Sequence, residues 1–265
     1  ILASKITGRS QMTWCRDNKV DLTRHTETQI DAAVETSLKR LKTDYIDLYQ
    51  LHWPDRALPG FGFHSYHDYD AAEMTPLEDI LGALQKHVTA GNIRHIGVSN
   101  ESAWGTMRFL HLAETHGLPR MVSNQCVYNL LARRYDYERA EIAMREQVGL
   151  LAYSPLGMGL LTGKYDGGDK PKGSRWAEFP QFLGRYDNAH DAVADCNKTA
   201  KELGLTPTQF ALKFVETRKF VTSNIIGATS VEQLKDNIDA HEVTWTKDME
   251  KQAARIHKTY RSPVC

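Results

Sequence analysis

The sequence predicts an α/β protein built on parallel strands, and three observations carry that expectation. Six short apolar segments are bounded by polar or turn residues: Ile1–Ser4, Ile46–Leu51, Ile93–Val98, Met121–Val127, Gly149–Ala152 and Ser223–Ile226. Runs of this kind suit strands whose sheet is covered on its faces. Segments of helical period fall between them. Three long connections, Gln11–Thr28, Pro54–Met74 and Gly157–Asp191, follow strands, and such loops in a compact α/β protein are usually functional.

Each helix has its own warrant. Ile30, Val34, Leu38 and Leu41 recur at helical spacing after the first strand. Leu77, Ile80, Leu81, Leu84 and Val88 do so after the second. There Thr75 suits the N-cap, Pro76 suits N1, Glu78 completes a capping box and Gly91 suits C′. Trp104–Leu112 and Arg139–Met144 give weaker helical signals. Thr206-Pro207-Thr208-Gln209 repeats the start signal before Phe210–Val215, and Ser230-Val231-Glu232-Gln233 repeats it without proline. No low-complexity linker divides residues 1–265, so a single domain is expected.

Composition removes several classes of function. The 265 residues carry a formal net charge of +0, which gives no electrostatic reason to expect nucleic acid or an anionic membrane as partner. No apolar run approaches the ~20 residues of a bilayer span. Ile1-Leu2-Ala3-Ser4-Lys5 lacks the basic start and the length of a secretory signal. Cys15, Cys126, Cys196 and Cys265 show no metal spacing, which suggests free thiols in a reducing compartment and hence a cytoplasmic protein. His64 and His67 form an HxxH pair without a third ligand at metal spacing, so no metal is expected. Trp53, Phe61, Phe63, Trp104 and Trp176 could line an apolar pocket or simply pack in the core. Oligomeric state is not readable.

Six strands suit either an open doubly wound sheet or an eight-stranded barrel seen without two strands. The strand ends bear on the choice, because barrel enzymes build their sites there. The first strand ends in Lys5, the second in His52 and the third in Ser99-Asn100. The fourth contains Asn124-Gln125, the fifth ends in Tyr153-Ser154, and the sixth in Gly227-Ala228-Thr229. Polar residues are common where any strand stops; a run of six, with a lysine, a histidine and two amides, fits a ring of ligand-contacting groups.

Gly157-Met158-Gly159-Leu160-Leu161-Thr162-Gly163-Lys164 matches neither standard phosphate motif. Its last glycine is one residue late for a dinucleotide fingerprint, and Lys164 is followed by Tyr165 where a P-loop needs Ser or Thr. It can still serve as a flexible loop whose Lys164, with Arg175, clamps a pyrophosphate. Thr229, Ser230, Gln233, Asp236 and Asn237 sit at a strand-to-helix turn, where free N–H groups suit a phosphate and where plain capping explains Ser230 and Gln233 equally well.

Several blocks together resemble the aldo-keto reductases, closest to the Tas-like branch, with potassium-channel β-subunits as more distant relatives. They are Thr43-Asp44-Tyr45-Ile46-Asp47-Leu48-Tyr49-Gln50-Leu51-His52-Trp53-Pro54, then Gly91–Asn100, then Asn124-Gln125 with Tyr128-Asn129. Ala152-Tyr153-Ser154-Pro155-Leu156 with Gly163-Lys164-Tyr165 follows, and Gly227-Ala228-Thr229 with Gln233-Leu234 and Asn237 closes the series in family order. The resemblance implies a (β/α)₈ TIM barrel and an NADPH cofactor. By position it makes Lys5 and His52 catalytic. It gives Ser99, Asn100 and Gln125 the nicotinamide carboxamide and sets Tyr153 under the ring. Ser154, Pro155, Leu156, Gly157, Lys164 and Arg175 would lie along the pyrophosphate. Gly227, Ala228, Thr229, Gln233, Asp236 and Asn237 would hold the 2′-phosphate end. The implied partner is a small-molecule carbonyl compound, reduced to an alcohol.

The residue types agree with that chemistry. Carbonyl reduction needs a proton for the forming alkoxide and a hydrogen bond to the oxygen. The family uses a tyrosine whose pKa is lowered by a lysine ammonium, itself paired with an aspartate. The Asp-x-x-x-x-Tyr-Gly type motif that carries this aspartate and tyrosine does not occur in the sequence. The expectation is therefore a chain lacking about the first two βα units of the barrel. The alternative is a catalytically inactive NADPH-binding partner protein resembling the channel subunits.

Overall fold

The computed structural model describes residues 1–12, 20–56, 58, 74–179, 184–261 and 263–264. Within them the elements run β1 (Ala3–Ile6), α1 (Glu27–Leu41), β2 (Ile46–Leu51), α2 (Leu77–Thr89), β3 (Ile93–Ser99), α3 (Ala103–His116), β4 (Met121–Val127), α4 (Tyr135–Arg145) and β5 (Gly149–Tyr153). They continue with α5 (Arg175–Glu178), α6 (His190–Glu202), α7 (Pro207–Glu216), β6 (Val221–Ile225), α8 (Val231–Asp239) and α9 (Lys247–Thr259). Every described pairing between these six strands is parallel, so the fold is α/β as expected. The chain forms two compact units, Ile1–Gln125 with Arg145–Gly149, and Cys126–Met144 with Leu150–Cys265.

In the first unit β1, β2, β3 and β4 pair in sequence order. Parallel neighbours need a crossover, and α1, α2 and α3 supply it. The α2 helix buries Leu77, Ile80, Leu81 and Leu84, the stripe its period predicts. Its start differs from the expectation: Pro76 is the N-cap and no side chain caps the helix. The Thr75 side chain is turned toward the buried Asp55 carboxylate, to which its hydroxyl donates. Gly91 does take a left-handed φ of 81° just past the end of α2.

The first strand also shifts. Ile1 is fully exposed, and pairing with β2 sets the strand at Ala3–Ile6, so Lys5 lies inside it opposite Gln50 rather than beyond its end. The third and fifth strands each run one residue further than expected, to Ser99 and Tyr153, and β6 begins at Val221 and stops at Ile225.

In the second unit β5 pairs with β6, Leu150 opposite Val221 and Tyr153 opposite Ile225. Its core is aromatic: Tyr128 stacks on Phe214 with ring centroids 5.9 Å apart, and Phe210 stacks on Trp245 at 5.4 Å. Thr206 and Gln209 form the predicted capping box of α7. Two helices give little apolar signal and escape the sequence reading. The α6 helix buries mostly small and polar residues, among them Ala192, Cys196, Asn197 and Thr199. The α9 helix buries only Met249, Ala253 and Ile256. Cys126 and Cys196 are free, buried thiols, while Cys15 and Cys265 lie outside the described residues. Among the described residues no helix is long and apolar enough to cross a membrane.

Candidate active site

In the first unit the strand register sets Lys5, His52, Ser99, Asn100 and Gln125 near the C-terminal ends of β1 to β4. His52 leaves β2 with its main chain fixed twice. Its N–H donates to the Ile6 carbonyl at 2.8 Å, and its carbonyl accepts from Asn100 Nδ2 at 2.9 Å. Its ring lies against Trp53, centroids 4.6 Å apart. Burial, with the charge of Lys5 adding to it, lowers the His52 pKa to about 4. The imidazole is therefore neutral near pH 7, with one N–H to donate. Burial also lowers the pKa of Lys5.

Asn100 occupies the left-handed region at φ 55°, a conformation asparagine tolerates better than most residues. Its backbone N–H donates to the Gln125 carbonyl at 2.9 Å, and the Ser99 hydroxyl donates to the same oxygen at 2.8 Å. Ser99, Asn100 and Gln125 thus form one bonded group. Gln125 is buried, and its Oε1 has no hydrogen-bond partner among the described residues.

The loop leaving β1 is tied to the turn after β2. The Trp53 indole N–H donates to the Arg9 carbonyl at 3.0 Å. A Cβ on Gly8 would stand 2.6 Å from Trp53 Cδ1 and 2.8 Å from the Pro54 carbonyl oxygen, so this approach requires glycine. The Thr23 hydroxyl donates to the Gly8 carbonyl at 2.5 Å.

In the second unit Tyr153 ends β5, and its carbonyl accepts from the Tyr128 N–H at 3.3 Å. Burial raises its pKa, and Arg185 partly opposes that. Ser154 follows at φ 53°, and its carbonyl accepts from Asn129 Nδ2 at 2.8 Å and from the Gly157 N–H at 2.9 Å. Pro155 and Gly157 are buried and Leu156 is half-buried. Lys164 and Arg175 are exposed, Lys164 Nζ lying 5.1 Å over the Tyr165 ring. Gly227 and Ala228 are exposed after β6. The Thr229 N–H donates to Gln233 Oε1 at 3.0 Å, and Ser230 caps α8 by accepting from the Gln233 N–H. Asp236 is exposed and Asn237 buried on the same helix. Part of the anion-binding capacity of this helix start is already used. Backbone N–H and the Ser230 hydroxyl hold the Glu232 carboxyl below its usual range.

Two braces were not foreseen. Asn129 Oδ1 accepts from the backbone N–H of Leu131 and Ala132, each at 2.8 Å, while its Nδ2 holds Ser154. In the first unit Arg56 forms a buried ion pair with Glu101, its Nη1 3.1 Å from Oε2. Asn129 belongs to the Tyr128-Asn129 block of the family resemblance, which implies no role for it; nothing local marks Arg56 and Glu101 as partners. Phe61, Phe63, His64 and His67 lie outside the described residues. Among the described residues no group of three or more His, Cys, Asp or Glu side chains is placed to hold a metal.

The model of the aldo/keto reductase family matches residues 1–258. The match begins at residue 1 and gives no support to the expectation of lacking βα units. The chain is 44% identical over 267 residues to the protein Tas of Escherichia coli K12, covering all of this chain and 76% of that protein. It is 38% identical over 282 residues to an aldo-keto reductase of Babesia bovis, covering all of this chain and 98% of that one. It is 30% identical over 218 residues to the L-glyceraldehyde 3-phosphate reductase of Escherichia coli K12, covering 79% and 57% respectively.

Proposed function

As the chain belongs to the aldo/keto reductase family, and so to a family of oxidoreductases, we propose that it reduces aldehydes or ketones to alcohols with NADPH. The observation that carries this reading is His52, held neutral beside Lys5 where β2 ends.

NADPH, when bound, supplies the hydride. As the carbonyl carbon is reduced, negative charge grows on its oxygen. The neutral imidazole of His52 donates a hydrogen bond to that oxygen and orients it. The Lys5 ammonium stabilises the same charge through a medium made less polarisable by burial. These are the two members of the family's catalytic set that the sequence supplies; the alkoxide they stabilise would take its proton from water.

The residues of each unit suit the cofactor. In the first, the partnerless Gln125 Oε1 matches the N–H₂ of a carboxamide, with Ser99 and Asn100 beside it. In the second, Tyr153 would meet the nicotinamide, and Ser154, Pro155, Leu156, Gly157, Lys164 and Arg175 would hold the pyrophosphate. Gly227, Ala228, Thr229, Gln233, Asp236 and Asn237 would hold the 2′-phosphate end. NADPH rather than NADH is what the family resemblance implies, since the pyrophosphate that Lys164 and Arg175 would meet is common to both. A (β/α)₈ barrel is the architecture this reading takes for the strands, and the cytoplasm its compartment. A small carbonyl compound is the substrate, in keeping with the name of the L-glyceraldehyde 3-phosphate reductase relative.

Oxidation of NADPH in the presence of 4-nitrobenzaldehyde tests the reading. Turnover is expected, with a loss of about 100-fold in kcat for His52→Gln and unchanged NADPH affinity. Tight NADPH binding without turnover would instead favour the non-catalytic binding protein.

A further inference from the structure

Asp55 lies three residues beyond His52, and its side chain is 1% exposed. A carboxylate removed from water needs several donors, and Asp55 draws them from separate stretches of the first unit. Arg24 Nε donates to Oδ1 at 2.5 Å and the His25 backbone N–H to Oδ2 at 3.1 Å. The Thr75 hydroxyl donates to the same Oδ2. Arg24 and His25 end the connection from β1, and Thr75 is the entry to α2. One carboxylate therefore ties together the β1–α1 connection, the turn after β2 and the approach to α2.

The other end of that turn is equally fixed. His52 is held between the Ile6 carbonyl and Asn100, and Trp53 is bonded to Arg9. Pro54 restricts the backbone between them. With residues 52 and 55 both anchored, the backbone from which the imidazole projects has little freedom.

We propose that Asp55 is a positioning residue for His52, fixing the turn 52–55 so that the imidazole keeps the orientation its hydrogen bond to a substrate oxygen requires. The proposal rests on the reading of His52 given above. A purely structural role would lower stability and leave the imidazole environment unchanged in the folded variant.

Three variants separate these cases: Asp55→Asn, Arg24→Gln and Thr75→Val, each examined with isotope-labelled histidine. The His52 ring resonance is assigned by its loss in His52→Gln. In Asp55→Asn the expected result is a displaced or doubled His52 resonance. A fall in kcat of about ten-fold or more should accompany it, with NADPH affinity within about two-fold of the parent. Smaller effects of the same kind are expected from the other two, and partial recovery from Asp55→Glu. If Asp55→Asn does not fold, Thr75→Val, which removes one donor, decides by the same readouts. Folded variants with unmoved His52 resonance and unchanged kcat overturn the proposal. If the parent protein reduces no carbonyl, the functional reading fails, while the resonance still decides whether Asp55 positions the ring.

Discussion

Asn100 Nδ2 donates to the main-chain carbonyl of His52 at 2.9 Å, so the turn leaving β3 carries the turn leaving β2. Removing it tests the bond and the backbone together. Asn100→Ala should cost roughly 2 kcal/mol, from the lost hydrogen bond and the left-handed φ of 55°. Asn100→Gly keeps the conformation and loses only the amide, so it should lie about 1 kcal/mol above the alanine variant in stability. Denaturant titration of both checks the split, and equal stabilities would contradict it.

Acid stability reports on His52. Its native pKa of about 4 lies below the usual 6.5, so above pH 6.5 both folded and unfolded chains hold it neutral. Between 6.5 and 4 the unfolded chain takes up the proton first, and stability falls as pH falls. Below 4 this contribution levels off. The melting temperature of the parent should therefore drop across that window more steeply than that of His52→Gln. Lys5→Met should raise the histidine pKa above 4, because the lysine charge is one of its two depressing causes. NMR titration measures this.

Gly105 offers a reversal of an ordinary rule. Glycine to alanine inside a helix usually stabilises by up to about 1 kcal/mol. In α3 a Cβ at residue 105 would collide with the Glu101 carboxylate and the Arg56 guanidinium. Gly105→Ala should instead destabilise, by roughly 1–3 kcal/mol. A higher melting temperature in that variant would mean that the ion pair moves aside freely.

Asn129 is fully buried, and its side chain hydrogen-bonds Leu131, Ala132 and Ser154. Asn129→Ala should cost roughly 3 kcal/mol by leaving those backbone groups unpaired. Asn129→Asp keeps both acceptor bonds and loses only the donor to Ser154. It should weaken NADPH binding more than its stability loss suggests, if Ser154 contacts the cofactor. Fluorescence titration beside thermal melting separates the two effects.

Much of this was legible because period and capping are local. The apolar stripe of α2 and the Thr206 box of α7 need only neighbouring residues; the box appears as read, and so does the stripe except that its last member, Val88, is only half-buried. Local reading fails where a distant group competes. Thr75 has a cap's identity and position, yet its hydroxyl goes to Asp55, twenty residues away in sequence. The helices α6 and α9 bury alanine, cysteine, threonine and a few apolar residues, too little contrast to show as a stripe. For the candidate site, residue types at strand ends marked Lys5, His52 and Gln125. The buried groups nearby in the chain, Asp55 and the Arg56–Glu101 pair, depend on contacts that no spacing rule encodes.

At residue 8 the usable alphabet shrinks to a single letter, because the indole and carbonyl oxygens of the next turn occupy the place of any methyl. A side chain there would have to displace the turn after β2, and with it the main chain that follows His52.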